Sequence, residues 1–146
     1  RTQHVNVTAP FLLTQSLLPH LEATQGSVIN IASIHGQLTK PEFVAYATSK
    51  TALVGMTRAM AVDLGGRVRV NAICPAAIAT PMLLAGFEGR DEAFKDLAAM
   101  HPVGRIGQPA EVAQACLMVA DPKLGFLTGA CLSLDGGIGA RLHDPV

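Results

Sequence analysis

Ser27-Val28-Ile29-Asn30-Ile31-Ala32-Ser33 is an apolar run in which Ser27 to Ile31 reads as a strand buried on both faces. Val28, Ile29 and Ile31 break the alternation of a half-exposed strand, and a β-branched run of this kind suits a parallel sheet covered on two sides by helices. Gln25-Gly26 supplies the turn before it. Upstream, Pro10 to Ala23 reads as a helix: Pro10 suits a first turn, Thr8 is placed to cap it, and Leu12, Leu13, Leu17, Leu18 and Leu21 form a broad apolar stripe. Pro19 is expected to bend this helix or end it early. Downstream, residues 34–43 form a loop broken by Gly36 and Pro41, and Ala45 to Leu64 form a long helix stopped by Gly65-Gly66.

The same rhythm continues. Val68 to Ile73 is a second strand, ended by Pro75. Helical pieces between Pro81 and Met100 surround breaks at Gly86 and Gly89, and Pro109 to Ala120 is a further helix with Glu111 near its positive end. Ala130 to Leu134 is a third strand, after which Asp135-Gly136-Gly137 turns the chain into a polar tail. Strands alternating with helices predict an α/β fold around a parallel sheet. Only three strands are visible, and buried strands need neighbours or covering layers. The expectation is therefore that the edge at Ser27–Ile31 is open and that residues 1–146 are the carboxyl-terminal part of a single domain whose amino-terminal strands are absent.

Composition narrows the function classes. The chain of 146 residues has a formal net charge of zero and no long Lys/Arg run, which argues against nucleic acid or an anionic membrane surface as the main partner. No apolar stretch reaches the ~18 residues of a spanning helix, no secretory signal opens the chain, and a cytoplasmic protein is expected. A hydrophobic share of 49% with mean hydropathy +0.35 is apolar for a soluble domain and predicts substantial subunit contact. Cys74, Cys116 and Cys131 sit among apolar residues at no metal-binding spacing and read as reduced core thiols. His4, His20, His101 and His143 show no ligand spacing either, so no catalytic metal is expected.

One constellation carries chemistry. In Tyr46-Ala47-Thr48-Ser49-Lys50 the tyrosine and lysine are four apart, on one face of a helix, and Ser33 lies thirteen residues before the tyrosine. An ammonium near a phenol favours the phenolate and lowers its pKa from about 10. A hydroxyl beside that phenol can hold a carbonyl or alcohol oxygen, so the group makes a proton donor and acceptor for work near neutral pH. His35 follows Ser33 closely and is a candidate substrate contact, with a surface loop histidine as the alternative.

Taken in order, these residues resemble the short-chain dehydrogenase/reductase family. The match spans Asn6 to Gly137 and includes the Ser33-Tyr46-Lys50 register, Arg69-Val70-Asn71-Ala72-Ile73-Cys74-Pro75, Thr80-Pro81-Met82, Gly104-Arg105-Ile106-Gly107-Gln108-Pro109-Ala110-Glu111-Val112 and Leu134-Asp135-Gly136-Gly137. The resemblance implies a doubly wound, Rossmann-like sheet and an oxidoreductase moving hydride between NAD or NADP and a small carbonyl or secondary alcohol substrate. It implies Tyr46 as general acid/base, Ser33 holding the substrate oxygen, and Lys50 binding the nicotinamide ribose while tuning Tyr46. Asn6 would be the fourth catalytic residue, supporting a water that relays protons to the lysine. Pro75, Ile78 and Thr80 would touch the nicotinamide. Ala76 stands where the family usually has glycine, which narrows the backbone approach to the ring. Met82 to Met100 matches a substrate-covering segment whose Leu83, Leu84, Phe87 and Phe94 read as an apolar lid, with ordinary core as the alternative, and the helices at Pro10–Ala23 and Ala45–Leu64 resemble those that build homodimers and homotetramers. No Gly-x-Gly-x-x-Gly opens a helix here. The second reading is therefore a truncated, catalytically silent module that acts in assembly or binding.

Overall fold

The computed structural model describes residues 1–142. Three parallel strands form one sheet in the order β1-β2-β3: β1 Ser27–Ile31, β2 Arg69–Pro75 and β3 Cys131–Leu134. β1 pairs with β2 from Ser27↔Arg69 to Ile31↔Ile73, and β2 pairs with β3 from Ala72↔Cys131 to Pro75↔Leu134. Helix α1 (Ala9–Ala23) precedes β1, α2 (Val44–Asp63) joins β1 to β2, and α3 (Pro81–Ala85), α4 (Asp91–Ala99) and α5 (Pro109–Ala120) lie between β2 and β3. Among the described residues, β1 has no partner on its outer side.

Central β2 is buried on both faces from Val70 to Pro75, as its apolar run predicts. Val70, Ala72 and Cys74 point to the α2 side. There Leu53 and Val54 pack with Ala72, Cys74 and Ala32, while Met60, Ala61 and Leu64 pack with Val68 and Val70. Leu18 and Leu21 bring α1 onto the same cluster. Arg69, one residue out of phase, sends its guanidinium to the last carbonyls of α5: Val119 O at 2.9 Å and Ala120 O at 3.1 Å. Fully buried Asn71 donates to Leu127 O at 2.9 Å and accepts from Ala130 N–H at 3.0 Å, fixing the chain as it enters β3. Asn30 on β1 donates to Thr57 Oγ1 of α2 at 2.9 Å in the interior. Both asparagines serve backbone and element placement.

Several sequence expectations change. Thr8 does not cap α1: His4–Thr8 is a π-helical turn that runs straight into the helix, so Thr8 is itself helical at φ −65°, ψ −44°. Pro19 does not end α1, which continues to Ala23. Both Pro19 and Gln15, whose carbonyl loses its intrahelical donor, lie on the exposed face, where solvent can satisfy that carbonyl. Of the cysteines only Cys74 is fully buried, while Cys116 and Cys131 are half-buried; all three thiols are free. The tail after Gly137 begins with a short 3₁₀ turn, Ile138–Ala140, and His143 lies outside the described residues.

Candidate active site

Parallel strands deliver their carboxyl ends to one edge of the sheet, and the sequence-predicted residues gather there. Ser33 leaves β1 as the cap of a 3₁₀ turn, Ile34–Gly36, and is 6% exposed. Its Oγ accepts the His35 backbone N–H at 3.2 Å. Accepting uses a lone pair, so the hydroxyl proton stays available for a second oxygen.

Tyr46 stands in the first turn of α2 and is 37% exposed, and no described protein group bonds its phenol oxygen. Lys50 lies one turn on, with its ammonium 5.7 Å from the Tyr46 ring centroid. Lys50 Nζ donates to Ile31 O at 2.9 Å. Ala32 N–H, in the same peptide unit as that carbonyl, donates to Ile73 O on β2. Ile31 O therefore points away from β2, and Lys50 covers an acceptor on the open edge of β1. Burial lowers the Lys50 pKa because it disfavours the ammonium, while the nearby Cys74 sulfur works in the opposite sense. Burial in turn raises the Cys74 pKa, aided by Cys131 and opposed by the Ser33 backbone and by Arg58 and Lys50, so Cys74 stays a neutral thiol.

Three rings frame Tyr46. His35 stacks on Phe43 with centroids 4.7 Å apart and meets Tyr46 edge-on at 5.6 Å, while Phe43 meets Tyr46 edge-on at 5.9 Å. Lys40 Nζ lies 4.4 Å from the Phe43 centroid. Burial lowers the His35 pKa and the Lys40 charge lowers it further, so the imidazole is neutral at neutral pH. His35 thus packs against the phenol-bearing ring through a side chain that the sequence placed only as a substrate contact or a surface histidine.

Asn6 sits in the middle of the π-helical turn and donates from Nδ2 to Ser49 Oγ at 2.9 Å. Asn6 and Lys50 line an open groove of about 530 Å³ between the start of α1 and the free edge of β1, floored by Ile29, Ile31 and Leu53. After its bond to Ile31, the Lys50 ammonium keeps two donors, which suits the adjacent hydroxyls of a ribose.

The loop after β2 completes the edge. Ala76 N–H donates to Leu134 O, and Ala76 lies outside the positive-φ region, so the methyl strains nothing in the backbone. Ile78 forms a parallel bridge with Gly107, through Ala79 N–H to Gly107 O and Gly107 N–H to Ala77 O. A Cβ on Gly107 would stand 2.6 Å from Ile78 Cδ1, so the tip of the Ile78 side chain packs directly on this glycine. Among the described residues the Ile78 N–H has no protein acceptor, leaving a donor beside Pro75. Thr80 caps α3 by accepting Leu83 N–H at 3.2 Å and keeps its own hydroxyl proton. A carboxamide, with one acceptor and two donors, fits this pair of groups. Farther along, Phe87 and Phe94 pair edge-on at 5.7 Å, while Met82 and Leu84 are exposed. Among the described residues no three His, Cys, Asp or Glu side chains converge as a metal would require.

The structure adds Ser49, Phe43 and the Ile31 carbonyl to the site. Ser49 was visible in the sequence only as a neighbour of Lys50, and Phe43 only as an aromatic three residues before Tyr46.

A family model described as enoyl-(acyl carrier protein) reductase matches residues 1–139. The 2,5-dichloro-2,5-cyclohexadiene-1,4-diol dehydrogenase of Sphingobium indicum is 38% identical over 143 residues, covering 96% of this chain and 57% of that enzyme. Solved structures of 4-hydroxyisoleucine dehydrogenase complexed with NADH (TM-score 0.88, 29% identity, 96% of this chain and 58% of that one) and of ElxO with NADP bound (TM-score 0.85, 27% identity, 93% and 56%) superpose on it. The chain spans little more than half the length of these relatives.

Proposed function

The chain belongs to the short-chain dehydrogenase/reductase family, and from that premise we propose that it carries the proton-transfer and nicotinamide-facing part of an oxidoreductase acting on a carbonyl or secondary alcohol. The observation that carries this reading is the meeting of Tyr46, Lys50 and the Ser33–His35 turn at the carboxyl end of β1, beside an open groove. NAD or NADP, when bound, supplies or takes up the hydride.

The protein's own groups do the rest. Ser33 donates its free proton to the substrate oxygen and stabilises negative charge as it develops there. Tyr46 gives its phenolic proton to that oxygen in reduction and takes it back in oxidation. The Lys50 ammonium holds the ribose hydroxyls beside the Tyr46 ring. Ile78 N–H and the Thr80 hydroxyl orient the carboxamide beside Pro75. The His35–Phe43 stack holds the Tyr46 ring in one orientation and lines the approach of substrate.

A homodimer or homotetramer is the proposed assembly, supported by exposed Leu12, Leu13 and Leu17 on α1 and Val62 on α2. A cytoplasmic setting is proposed with it; no helix among the described residues is long and apolar enough to cross a membrane. The second reading is a silent module serving assembly or binding, and it is favoured by the name of one relative, 34% identical over 145 residues, an inactive 2-(S)-hydroxypropyl-CoM dehydrogenase. Isothermal titration with NADH and NADPH separates the two. Saturable binding together with carbonyl-dependent loss of reduced-nicotinamide absorbance supports the enzyme, and a well-folded sample that binds neither dinucleotide supports the silent module.

A further inference from the structure

Ser49 is fully buried between the two residues that define the site. Its Oγ lies 2.7 Å from the Tyr46 carbonyl oxygen and 2.9 Å from Asn6 Nδ2. A carbonyl oxygen can only accept, so the single hydroxyl proton of Ser49 is committed to Tyr46. Toward Asn6 the hydroxyl is then an acceptor and nothing else. The amide atom that meets it has to be a donor, which turns the Asn6 NH₂ toward Ser49 and the Asn6 oxygen away from it. That oxygen accepts no hydrogen bond from the described residues, and Asn6 lines the groove it shares with Lys50. Asn6 is held in the middle of a π-helical turn, a widened geometry that recurs at functional positions.

We propose that Ser49 is a positioning residue: it locks the Asn6 amide with its oxygen outward, as a hydrogen-bond acceptor for a hydroxyl or water in the Lys50 groove. Without the Ser49 hydroxyl the two amide orientations become comparable. A large fraction of molecules then turns NH₂ toward a groove that already holds an ammonium donor. The consequence for turnover rests on the oxidoreductase reading above; the amide orientation does not.

The test is side-chain amide hydrogen exchange by NMR on the uniformly ¹⁵N-labelled chain. In the wild-type protein the Asn6 amide protons exchange about tenfold more slowly than those of exposed Gln15, the effect of one ordinary hydrogen bond. Ser49→Ala removes that difference, Ser49→Thr restores it, and backbone exchange in α2 around Thr57 stays as in the wild type. In the turnover assay Ser49→Ala lowers kcat about tenfold, again the worth of one hydrogen bond. Protection of Asn6 that survives in Ser49→Ala overturns the proposal, as does lost protection with kcat unaltered. Should Ser49→Ala not fold, the wild-type comparison decides, because equal exchange at Asn6 and Gln15 also overturns it. A wild-type chain that binds dinucleotide without turnover defeats the oxidoreductase reading and leaves amide exchange to judge the lock.

Discussion

Replacing Tyr46 with phenylalanine removes one oxygen and leaves the ring contacts to His35 and Phe43 in place. Tyr46→Phe is therefore expected to lower kcat by about 10²–10⁴-fold, the usual worth of a general acid/base, with dinucleotide affinity nearly unchanged. Steady-state kinetics beside titration calorimetry reads both, and retained turnover removes Tyr46 from its role. Lys50→Met acts differently, because the ammonium meets the groove directly. Loss of charge-assisted hydrogen bonds worth about 1.5–3 kcal/mol weakens dinucleotide binding roughly tenfold to a hundredfold, and kcat falls with it. A Kd unmoved by this change separates Lys50 from cofactor binding. The two residues themselves were legible in the sequence, since a spacing of four on a helix needs no tertiary knowledge. The partners were not. Ile31 offers Lys50 a backbone carbonyl, which no side-chain pattern encodes. Ser49 acts through a residue 43 positions away, and only the packing of α2 against the turn His4–Thr8 brings them together.

Elements are joined in this chain by a few polar side chains as well as by apolar packing. Asn71 satisfies both Leu127 C=O and Ala130 N–H from a fully buried position on β2. Asn71→Leu is bulkier at a fully buried position and leaves both backbone groups unpaired, so a loss of about 3 kcal/mol or more is expected, given about 1–3 kcal/mol for each unsatisfied buried group. Urea unfolding measures it, and a variant as stable as the wild type rejects this account of the β3 junction. Before α5, Arg105 pairs bidentately with Glu111 at 2.8 and 2.7 Å, and Glu111 also accepts Gln108 N–H. The Arg105 hydrogen bonds, with the Gln108 N–H next, lower the Glu111 pKa to about 2. The folded value lies below the unfolded one, about 4.3, so the unfolded chain binds more protons between them. The stabilisation is thus whole above about pH 4.3 and fades as pH falls toward 2. Glu111→Gln should be less stable than the wild type at pH 7 and converge with it near pH 2; because the pair is solvent-exposed the gap is small and shrinks in salt. A gap independent of pH excludes the ion pair as its source. Strand and helix identities were readable from apolar runs and from Gly/Pro breaks, whereas the start of α1 was not. A π-helical turn inserts an extra residue without any composition signal, and it converts Thr8 from an expected cap into helix interior.

At the scale of the molecule the decisive feature is the outer edge of β1. Its residues Ser27-Val28-Ile29-Asn30-Ile31 carry no charge, no proline and no bulge, the devices that keep an edge from pairing. Lys50 covers one carbonyl of that edge from α2, and Ile31 is 44% exposed beside it. Next to the edge, α1 presents Phe11, Leu12, Leu13 and Leu17 to solvent, so hydrogen-bonding groups and apolar area lie side by side. Such a surface lowers its free energy by association. At micromolar concentration the chain is accordingly expected to sediment as a dimer or larger species. Ile31→Lys, which puts a charge on the edge without touching the α2–β2 core, should shift it toward monomer. Leu13→Lys tests the helix surface in the same experiment. If Leu13→Lys dissociates the assembly and Ile31→Lys does not, association runs through α1 and the strand edge is protected by Lys50 alone. A wild-type chain that sediments as one compact monomer with a cooperative unfolding transition shows that the three-stranded sheet tolerates its open side, and the association argument fails with it.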